Sequence, residues 1–452
     1  MTVSATVSAT LAINEETERR RAAGRPVLPL GFGEAGLPVH PSLVEALSRA
    51  AGHASYGPVV GIEDLRIAAA GYWDRRGVPT DPSQVVAGPG SKPLLYALLR
   101  AIGGAIALPR PSWVSYAAQA SLLGLPVVGV PTPPGEGGVP DPDRLEAEAV
   151  HARRVGTRLG AVVLTLPDNP TGTLATVATV RAVCEIAHAH GMWVISDEIY
   201  RDLVHDTGRP FLSPAEVIPD QTVVTTGLSK SLALGGWRIG VARFPGSKRG
   251  ARLGAQVAMI ASEIWSAPAQ PVQRAAAWAL TEPECLRERV RLSRVLHGRV
   301  ARAVAAEFRA VDAVLPSPEA GFYLYPDLGG HREWLRSSRG IDCGPRLASA
   351  LLEGPGIATL PASAFGEPEE ALRLRVATSR LYGATWDQQE AALASDDPTS
   401  LPWLVEELGQ LRAGLAWLVS GGASGCPQPK LLASTLEHVL RTFGSPPKLG
   451  TA

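Results

Sequence analysis

The chain has 452 residues, 45% of them hydrophobic and 19% charged, which is ordinary for a globular protein and sufficient for a large and a smaller domain. Its 43 basic and 43 acidic residues cancel, which argues against nucleic acid or an anionic membrane surface as a partner. No apolar run reaches the ~18 residues of a membrane helix, and the N-terminal residues lack the apolar segment of a secretory signal. The four cysteines are widely spaced, so we expect a cytoplasmic protein with reduced thiols.

In chain order, an N-terminal helix at Ala12–Ala23 precedes a central region in which short β-strands alternate with amphipathic helices. Several of the expected strands are continuous Val, Ile and Leu runs, which is typical of strands buried on both faces. These runs are Gln84–Ala87, Ala105–Leu108, Pro126–Val130, Ala161–Leu166, Met192–Ser196, Thr222–Thr226 and Ile239–Phe244. We therefore predict an α/β fold with a large domain whose mostly parallel central sheet is covered by helices.

The pattern changes after a long helical stretch, Pro283–Ala310, which we interpret as a connector. Further strands at Ala313–Pro316, Phe322–Tyr325 and Leu372–Ala377 predict a smaller α/β domain built from the N- and C-terminal parts of the chain. A run of Ser, Gly and Ala at Ser420–Gly425 is typical of a linker. The expected boundaries are 1–45 for the N-terminal segment, 46–310 for the large domain, 311–420 for the small domain and 421–452 for a C-terminal extension.

The segment TVVTTGLSKSLALGGWRIG, beginning at Thr222, is the most informative in the chain. A strand leads into a turn that presents Ser229 and Lys230, and Arg238 follows at the start of the next strand. A lysine in an enclosed, electropositive site readily loses its proton and forms an imine with an aldehyde. A guanidinium supplies the fixed charge that a phosphate requires. Taken alone, this segment is more often a surface Lys and Arg beside a glycine-rich turn.

Two other segments argue against that surface interpretation. LTLPDNPTG is a strand that ends in a turn with Asn169 at its tip, and VISDEIY is a strand that delivers Asp197 and Tyr200 at its carboxyl end. Ligands of parallel sheets bind beyond the carboxyl ends of the strands. Together with GLSK and GWRIG, these segments resemble in order and spacing the class I and II aminotransferases, which have pyridoxal 5'-phosphate (PLP) fold type I. The resemblance extends from about residue 12 to at least residue 379.

The resemblance implies that PLP is bound as a Schiff base to Lys230. It implies Asp197 beside the pyridine nitrogen, where an opposite charge keeps that nitrogen protonated, and Tyr200 and Asn169 beside the phenolic oxygen. Lys230, once the substrate has displaced it, would then carry a proton to and from the substrate Cα as general base and acid.

The resemblance assigns further residues to the cofactor and implies a homodimer. Gly227 stands where many members have a phosphate-binding hydroxyl, so Thr226 or Ser229 would substitute for it. The other assignments are Gly90, Ser91 and Lys92 in the turn GPGSKPLL at a helix N-terminus, Trp113 of RPSWVSY stacked on the ring, Arg238 at the phosphate, and Tyr56 reaching the cofactor of the partner subunit.

Substrate binding is expected at Gly33 of PLGFGEAGLP, at Asn169 and at an arginine of LRLRVATS. The family motif favours Arg373 as the residue that grips the α-carboxylate, but strand alternation puts Arg375 on the same face, so the residues alone do not exclude Arg375. No second arginine is assigned to a side-chain carboxylate, so a dicarboxylic amino acid is not indicated. No cluster with metal-ligand spacing stands out.

The predicted function is transfer of an amino group between an amino acid and a 2-oxo acid. The alternative is a PLP-dependent β- or γ-elimination, replacement or carbon–carbon bond formation in specialised metabolism. Both chemistries need Lys230, Asp197 and Arg238, so these residues do not separate them.

Overall fold

The structure is a computed structural model, and it describes residues 8–420. The predicted C-terminal extension at 421–452, and the linker apart from its first residue, Ser420, lie outside the described residues. Among residues 8–420, every helix is too short or too polar to serve as a membrane-spanning segment.

The described residues form twelve strands and sixteen α-helices. The strands are β1 (Leu28–Pro29), β2 (Val85–Gly88), β3 (Ala105–Arg110), β4 (Val127–Pro131), β5 (Leu159–Thr165), β6 (Trp193–Asp197), β7 (Thr222–Gly227), β8 (Gly240–Arg243), β9 (Tyr323–Leu324), β10 (Ile357–Ala358), β11 (Leu360–Pro361) and β12 (Leu374–Ala377). The helices are α1 (Ala9–Ala22), α2 (Pro41–Ala50), α3 (Glu63–Asp74), α4 (Ser91–Ile102), α5 (Val114–Leu122), α6 (Pro142–Arg154), α7 (Val177–Ala189), α8 (Pro214–Val217), α9 (Leu228–Ser231), α10 (Lys248–Ile264), α11 (Gln270–Leu280), α12 (Glu284–Arg309), α13 (Arg332–Arg339), α14 (Gly344–Glu353), α15 (Trp386–Ala394) and α16 (Pro402–Val419).

The central sheet has seven strands in the order β2-β8-β7-β6-β5-β3-β4. β8 runs antiparallel to both of its neighbours, and the other pairs are parallel. All seven residues of β5 are buried, because helices cover both faces of the sheet. Leu65 of α3 packs on one face with Val224, and Leu94 of α4 packs on the other with Val223. The predicted α/β fold with a mostly parallel, helix-covered sheet is confirmed.

The sheet brings the carboxyl ends of β5, β6 and β7 to one edge, since these three strands are parallel neighbours. The residue Asp197 ends β6, Asn169 follows β5 by four residues, and Lys230 follows β7 on the short helix α9. α4 begins at the same edge after Gly90, whose φ of 92° is a conformation that glycine adopts without strain.

The N- and C-terminal parts share a second hydrophobic core. β1 pairs in parallel with β10, and β11, β12 and β9 form an antiparallel sheet. Residues of β1, of α12 and of α16 pack in this one cluster, including Leu28, Val300 and Leu415. This arrangement agrees with a smaller unit built from both ends of the chain, and the residue boundaries given above stay a prediction.

One predicted strand is wrong. Ala313–Pro316 forms only an isolated bridge between Val314 and Asp327. Proline has no N–H to donate, so Pro316 cannot extend that pairing. The predicted helices at 12–23 and 283–310 are present as α1 and α12, shifted by no more than three residues.

Candidate active site

The amine of Lys230 lies at the centre of the polar cluster at this sheet edge. Nζ donates a hydrogen bond of 2.6 Å to the carbonyl of Gly33. Removal of the amine from solvent lowers its pKa to about 8, with Glu34 acting against this shift and Arg375 and Arg238 adding to it. A lysine with this pKa has a substantial fraction of neutral amine close to neutral pH, and the neutral amine can accept a proton.

Asp197 is 3% exposed and holds one unused acceptor. Its Oδ2 accepts a hydrogen bond of 2.9 Å from the Tyr116 hydroxyl, which also lies 3.0 Å from Oγ1 of Thr165. Its Oδ1 is buried and has no hydrogen-bond partner among the described residues. Burial raises the pKa of Asp197 to about 6. A buried acceptor of this kind needs a donor, and a protonated ring nitrogen is one.

Asn169 and Tyr200, the two residues predicted beside the phenolic oxygen of the cofactor, are both buried. Oδ1 of Asn169 is also without a hydrogen-bond partner in the part of the chain that the structure describes. The Tyr200 hydroxyl lies 2.8 Å from the hydroxyl of Tyr323. Tyr323 in turn donates a hydrogen bond of 3.4 Å to the carbonyl of Gly33. A Cβ at Gly33 would collide with the Tyr323 ring, so the loop can approach the site this closely only with glycine there.

The N-terminus of α4 and the side chain of Arg238 form an electropositive corner. Arg238 donates a hydrogen bond of 3.4 Å to the carbonyl of Pro89 and lies so close to Gly90 that a Cβ there would collide with its guanidinium. Burial and the neighbouring Arg238 lower the pKa of Lys92. Neither cation is ion-paired with a carboxylate within residues 8–420. Two cations without a carboxylate partner, next to the start of a helix, are suited to a phosphate.

The remaining predicted cofactor residues differ in their placement. Ser91 is the first residue of α4, and Ser229 precedes Lys230 on α9. The Trp113 ring lies 5.1 Å from the Lys92 amine, so it belongs to the same corner. Tyr56 is 94% exposed, and a single chain does not bring it to the other predicted residues.

Arg375 of β12 and Arg373, which immediately precedes this strand, have opposite surroundings. Arg373, favoured by the family motif, is neutralised by Asp327 (Nε to Oδ2, 2.7 Å) and by Glu367 (Nη1 to Oε1, 2.8 Å), and 42% of its side chain is exposed. Arg375 is 1% exposed and donates to the carbonyl of Gly31. Among the described residues no carboxylate pairs with Arg375, and its Nε has no partner. The geometry therefore does not support the preference for Arg373 as the residue that binds the α-carboxylate, because two acids already neutralise its guanidinium.

Three residues of the cluster were not predicted from the sequence. Tyr116 follows Trp113 by three residues, so helical spacing could have placed it beside the cofactor corner. Tyr323 comes from a distant strand, β9, and no local pattern identifies it. Phe322 has its ring centre 6.0 Å from Nζ of Lys230 and closes the site on that side.

These residues fit PLP. The oxygen of Asp197 that has no hydrogen-bond partner is suited to the ring nitrogen of PLP. Lys92 and Arg238 are suited to its phosphate, and Lys230 is suited to its aldehyde. No group of three or more His, Cys, Asp or Glu side chains suited to a metal ion occurs within the range 8–420.

Comparison with known proteins gives the same answer. The family model "Aminotransferase class I and II" matches residues 25–381. The chain is 34% identical to the aspartate/prephenate aminotransferase of Cereibacter sphaeroides over 79% of this chain and 89% of that protein. It is 32% identical to the aspartate aminotransferase of Geobacillus stearothermophilus over 83% and 93%. The structure of Thermus thermophilus aspartate aminotransferase with maleate matches with a TM-score of 0.76 at 27% identity, covering 90% of this chain and 97% of that one.

The family match covers the strand ends that carry Asn169, Asp197 and Lys230 and the N-terminus of α4. It also explains why these polar groups converge at one sheet edge, where one oxygen of Asp197 and one of Asn169 have no partner in the described chain. The chain belongs to the class I and II aminotransferases, and it is a PLP-dependent enzyme that transfers an amino group between an amino acid and a 2-oxo acid.

Proposed function

We propose that Lys230 moves the proton at the substrate Cα during this transamination. The observation that carries the proposal is the environment of its amine, which is removed from solvent and has a pKa of about 8. A base whose pKa is near the working pH is both available in its neutral form and strong enough to accept a proton. When bound, PLP supplies the electron sink that makes a Cα proton acidic.

Asp197 is proposed to hold the ring nitrogen in its protonated form. Its negative charge lies in a buried position where water cannot screen it. Tyr116 fixes the carboxylate through Oδ2 and leaves Oδ1 free. The unused oxygen supports a direct contact with the cofactor rather than a structural role inside the sheet.

Arg375 is proposed to bind the α-carboxylate of the substrate. A buried guanidinium without a carboxylate partner is costly unless an anion neutralises it. The ring centres of Tyr323 and Phe365 lie 5.1 and 5.3 Å from the guanidinium carbon and limit its movement. A fixed guanidinium binds a carboxylate with two parallel hydrogen bonds and so orients the Cα–H bond.

The proposed amino donor has no carboxylate in its side chain. Arg375 is matched to one carboxylate, and the nearby Arg373 and Arg380 are each ion-paired with two acids. The relatives are named for aspartate and prephenate, whereas the amino donor proposed for this chain is not aspartate.

A cytoplasmic homodimer is proposed as the working form. Tyr56 and Arg238 are exposed in a single chain, although the family resemblance assigns both to the cofactor phosphate. Contribution of Tyr56 by the partner subunit would reconcile that exposure with that role. The three described cysteines are free, in agreement with a reducing compartment.

The decisive experiment is a screen of amino donors with PLP-loaded protein, measuring both the 2-oxo acid and the new amino acid. Transamination yields the two products in equal amounts, whereas elimination releases ammonia. We expect donors with uncharged side chains to exceed aspartate and glutamate in kcat/KM. A preference of more than tenfold for aspartate or glutamate would exclude the proposed substrate class.

Lys230→Ala tests the role of the lysine. We expect loss of the cofactor adduct that borohydride fixes to the protein, seen by mass spectrometry, and a fall in turnover of at least about 1000-fold. Lys248→Ala, which changes an exposed lysine at the start of α10, is the matched control and should alter neither readout. A fixed adduct retained by Lys230→Ala would assign the attachment to another lysine.

A further inference from the structure

A second cavity lies behind the short helix that carries Lys230. Its volume is about 440 Å³, which lies within the range of small-molecule sites. Leucine and valine side chains of α9, of the residue that follows α9, of α11 and of α12 form its apolar floor. These are Leu228, Leu232, Leu280, Leu286 and Val290.

This cavity is separate from the site described above. Leu228 and Leu232 pack into the core between the sheet and helices α3 and α11. Tyr116, which touches Asp197, packs instead in the core on the other face of the sheet. Ser231 lines the cavity, whereas the neighbouring Lys230 directs its amine to Gly33. The helix α9 therefore forms a wall between the two sites.

Arginines surround the apolar floor, and most of them are neutralised. Their partners lie in the cavity wall or just outside it. The pairs are Arg76 with Asp202 and Glu282, Arg201 with Glu198, Arg209 with Glu319, Arg287 with Glu284 and Arg291 with Glu288.

Arg294 is the exception among the lining arginines. Within residues 8–420 its side chain has no hydrogen bond or ion pair, and its Nε is buried without a partner. Asp202, the acid whose charge acts on Arg294, is already bound by Arg76 and by the Tyr72 hydroxyl at 2.9 Å. The remaining acid of the lining, Asp206, accepts the N–H of Gly208. An anion placed here would therefore meet one uncompensated guanidinium above an apolar floor.

We propose that this cavity is a second ligand site for a small apolar monoanion, with Arg294 binding its charged group and the leucines of α9 and α11 its apolar body. A hydrophobic carboxylate has this chemistry. A ligand in this position would contact the helix that holds Lys230 without entering the site of transamination.

The test uses two fluorescent probes with the same ring system and PLP-loaded protein. 1-Anilinonaphthalene-8-sulfonate carries the anion, and N-phenyl-1-naphthylamine lacks it. We expect Arg294→Ala to weaken binding of the sulfonate about tenfold and to leave the neutral probe unchanged, because a charge-assisted hydrogen bond is lost. Val290→Trp fills the cavity and should weaken both probes at least tenfold.

Arg309→Ala, an exposed arginine at the end of the same helix, is the matched control and should change neither affinity. The proposal is overturned if Arg294→Ala leaves the sulfonate affinity within twofold, or if an amino donor displaces the sulfonate competitively, which would put the probe in the transamination site. If Val290→Trp does not fold, the contrast between the two probes in Arg294→Ala decides the question alone.

Discussion

At the scale of single residues, Arg373 and Arg375 form a natural comparison, since they lie two positions apart in the chain and differ in their partners. Arg375→Gln should raise the KM for the amino donor by about 30-fold or more, because loss of a buried charge partner costs about 2 kcal/mol or more. Arg373→Gln should change KM less than about threefold, since its guanidinium is already ion-paired with Asp327 and Glu367 and does not bind the substrate. Steady-state kinetics on both variants gives the comparison. The opposite order would return the carboxylate to Arg373, as the family motif suggests.

Lys230 should lower the stability of the cofactor-free protein in a pH-dependent way. Its pKa is about 8 in the folded chain against the ordinary 10.5, so the folded state binds fewer protons between these values. The free energy of unfolding therefore rises with pH from about 8 to 10.5. Below pH 8 the charged amine costs up to about 3 kcal/mol, and Lys230→Met should recover part of that cost.

Urea unfolding of cofactor-free wild type and Lys230→Met at pH 7 and pH 10 measures this effect. The variant should be the more stable protein at pH 7, and its advantage should shrink at pH 10. Other titrating groups affect both proteins equally and cancel in the difference. An advantage that is the same at both pH values would mean that the amine is solvated in the folded protein.

At the scale of elements, the turn after β5 contains a buried acid whose charge is unfavourable. Asp168 is 2% exposed; its Oδ2 accepts hydrogen bonds from the backbone N–H and hydroxyl of Thr171, and its Oδ1 has no partner in the described chain. Burial raises its pKa from 3.8 to about 7. The folded state therefore binds more protons than the unfolded state between these values, and stability falls as pH rises through that window.

Asp168→Asn keeps an acceptor for Thr171 and removes the charge. Its stabilising effect should grow by about 2 kcal/mol between pH 5 and pH 8, measured by urea unfolding of the cofactor-free protein. Asp143→Asn, an exposed acid on α6, should leave the pH dependence unchanged. A pH-independent effect of Asp168→Asn would mean that Asp168 is ionised in the folded protein throughout this range.

The buried strands could be predicted from the sequence, and the reason is local. Runs such as VVLT in β5 and WVIS in β6 are apolar on both faces, so their composition alone identifies them. The segment 313–316 is also mostly apolar, but it forms only the bridge from Val314 to Asp327, and Pro316 has no N–H with which to extend it. Strand ends were predictable within about two residues because polar turn residues follow each run.

The assignment of single side chains was less predictable where distant residues decide it. Lys230, Asp197 and Asn169 lie at strand ends, and parallel pairing alone brings them together. Which of Arg373 and Arg375 lacks a carboxylate partner depends on Asp327 and Glu367, which come from other parts of the chain. No local pattern specifies where those acids lie.

At the scale of the whole molecule, the cofactor corner of one chain is open on the side of Arg238, and Tyr56 projects from the same chain into solvent. These two facts have a common explanation if two chains associate so that each Tyr56 reaches the other chain's phosphate corner. Closed twofold association places the same pair of contacts at both sites. The site would then be complete only in the dimer.

Mixing two damaged proteins tests this sharing of sites. Tyr56→Ala should weaken PLP binding about tenfold or more, since one hydrogen bond to a charged group is lost, and Lys230→Ala should be inactive. In a mixed dimer the intact lysine faces the intact tyrosine of the other chain. Adding inactive Lys230→Ala during reassembly should therefore raise the activity of Tyr56→Ala at limiting PLP. The double variant Tyr56→Ala/Lys230→Ala should give no such gain, and equal behaviour of the two additives would show that each chain uses its own Tyr56 or none.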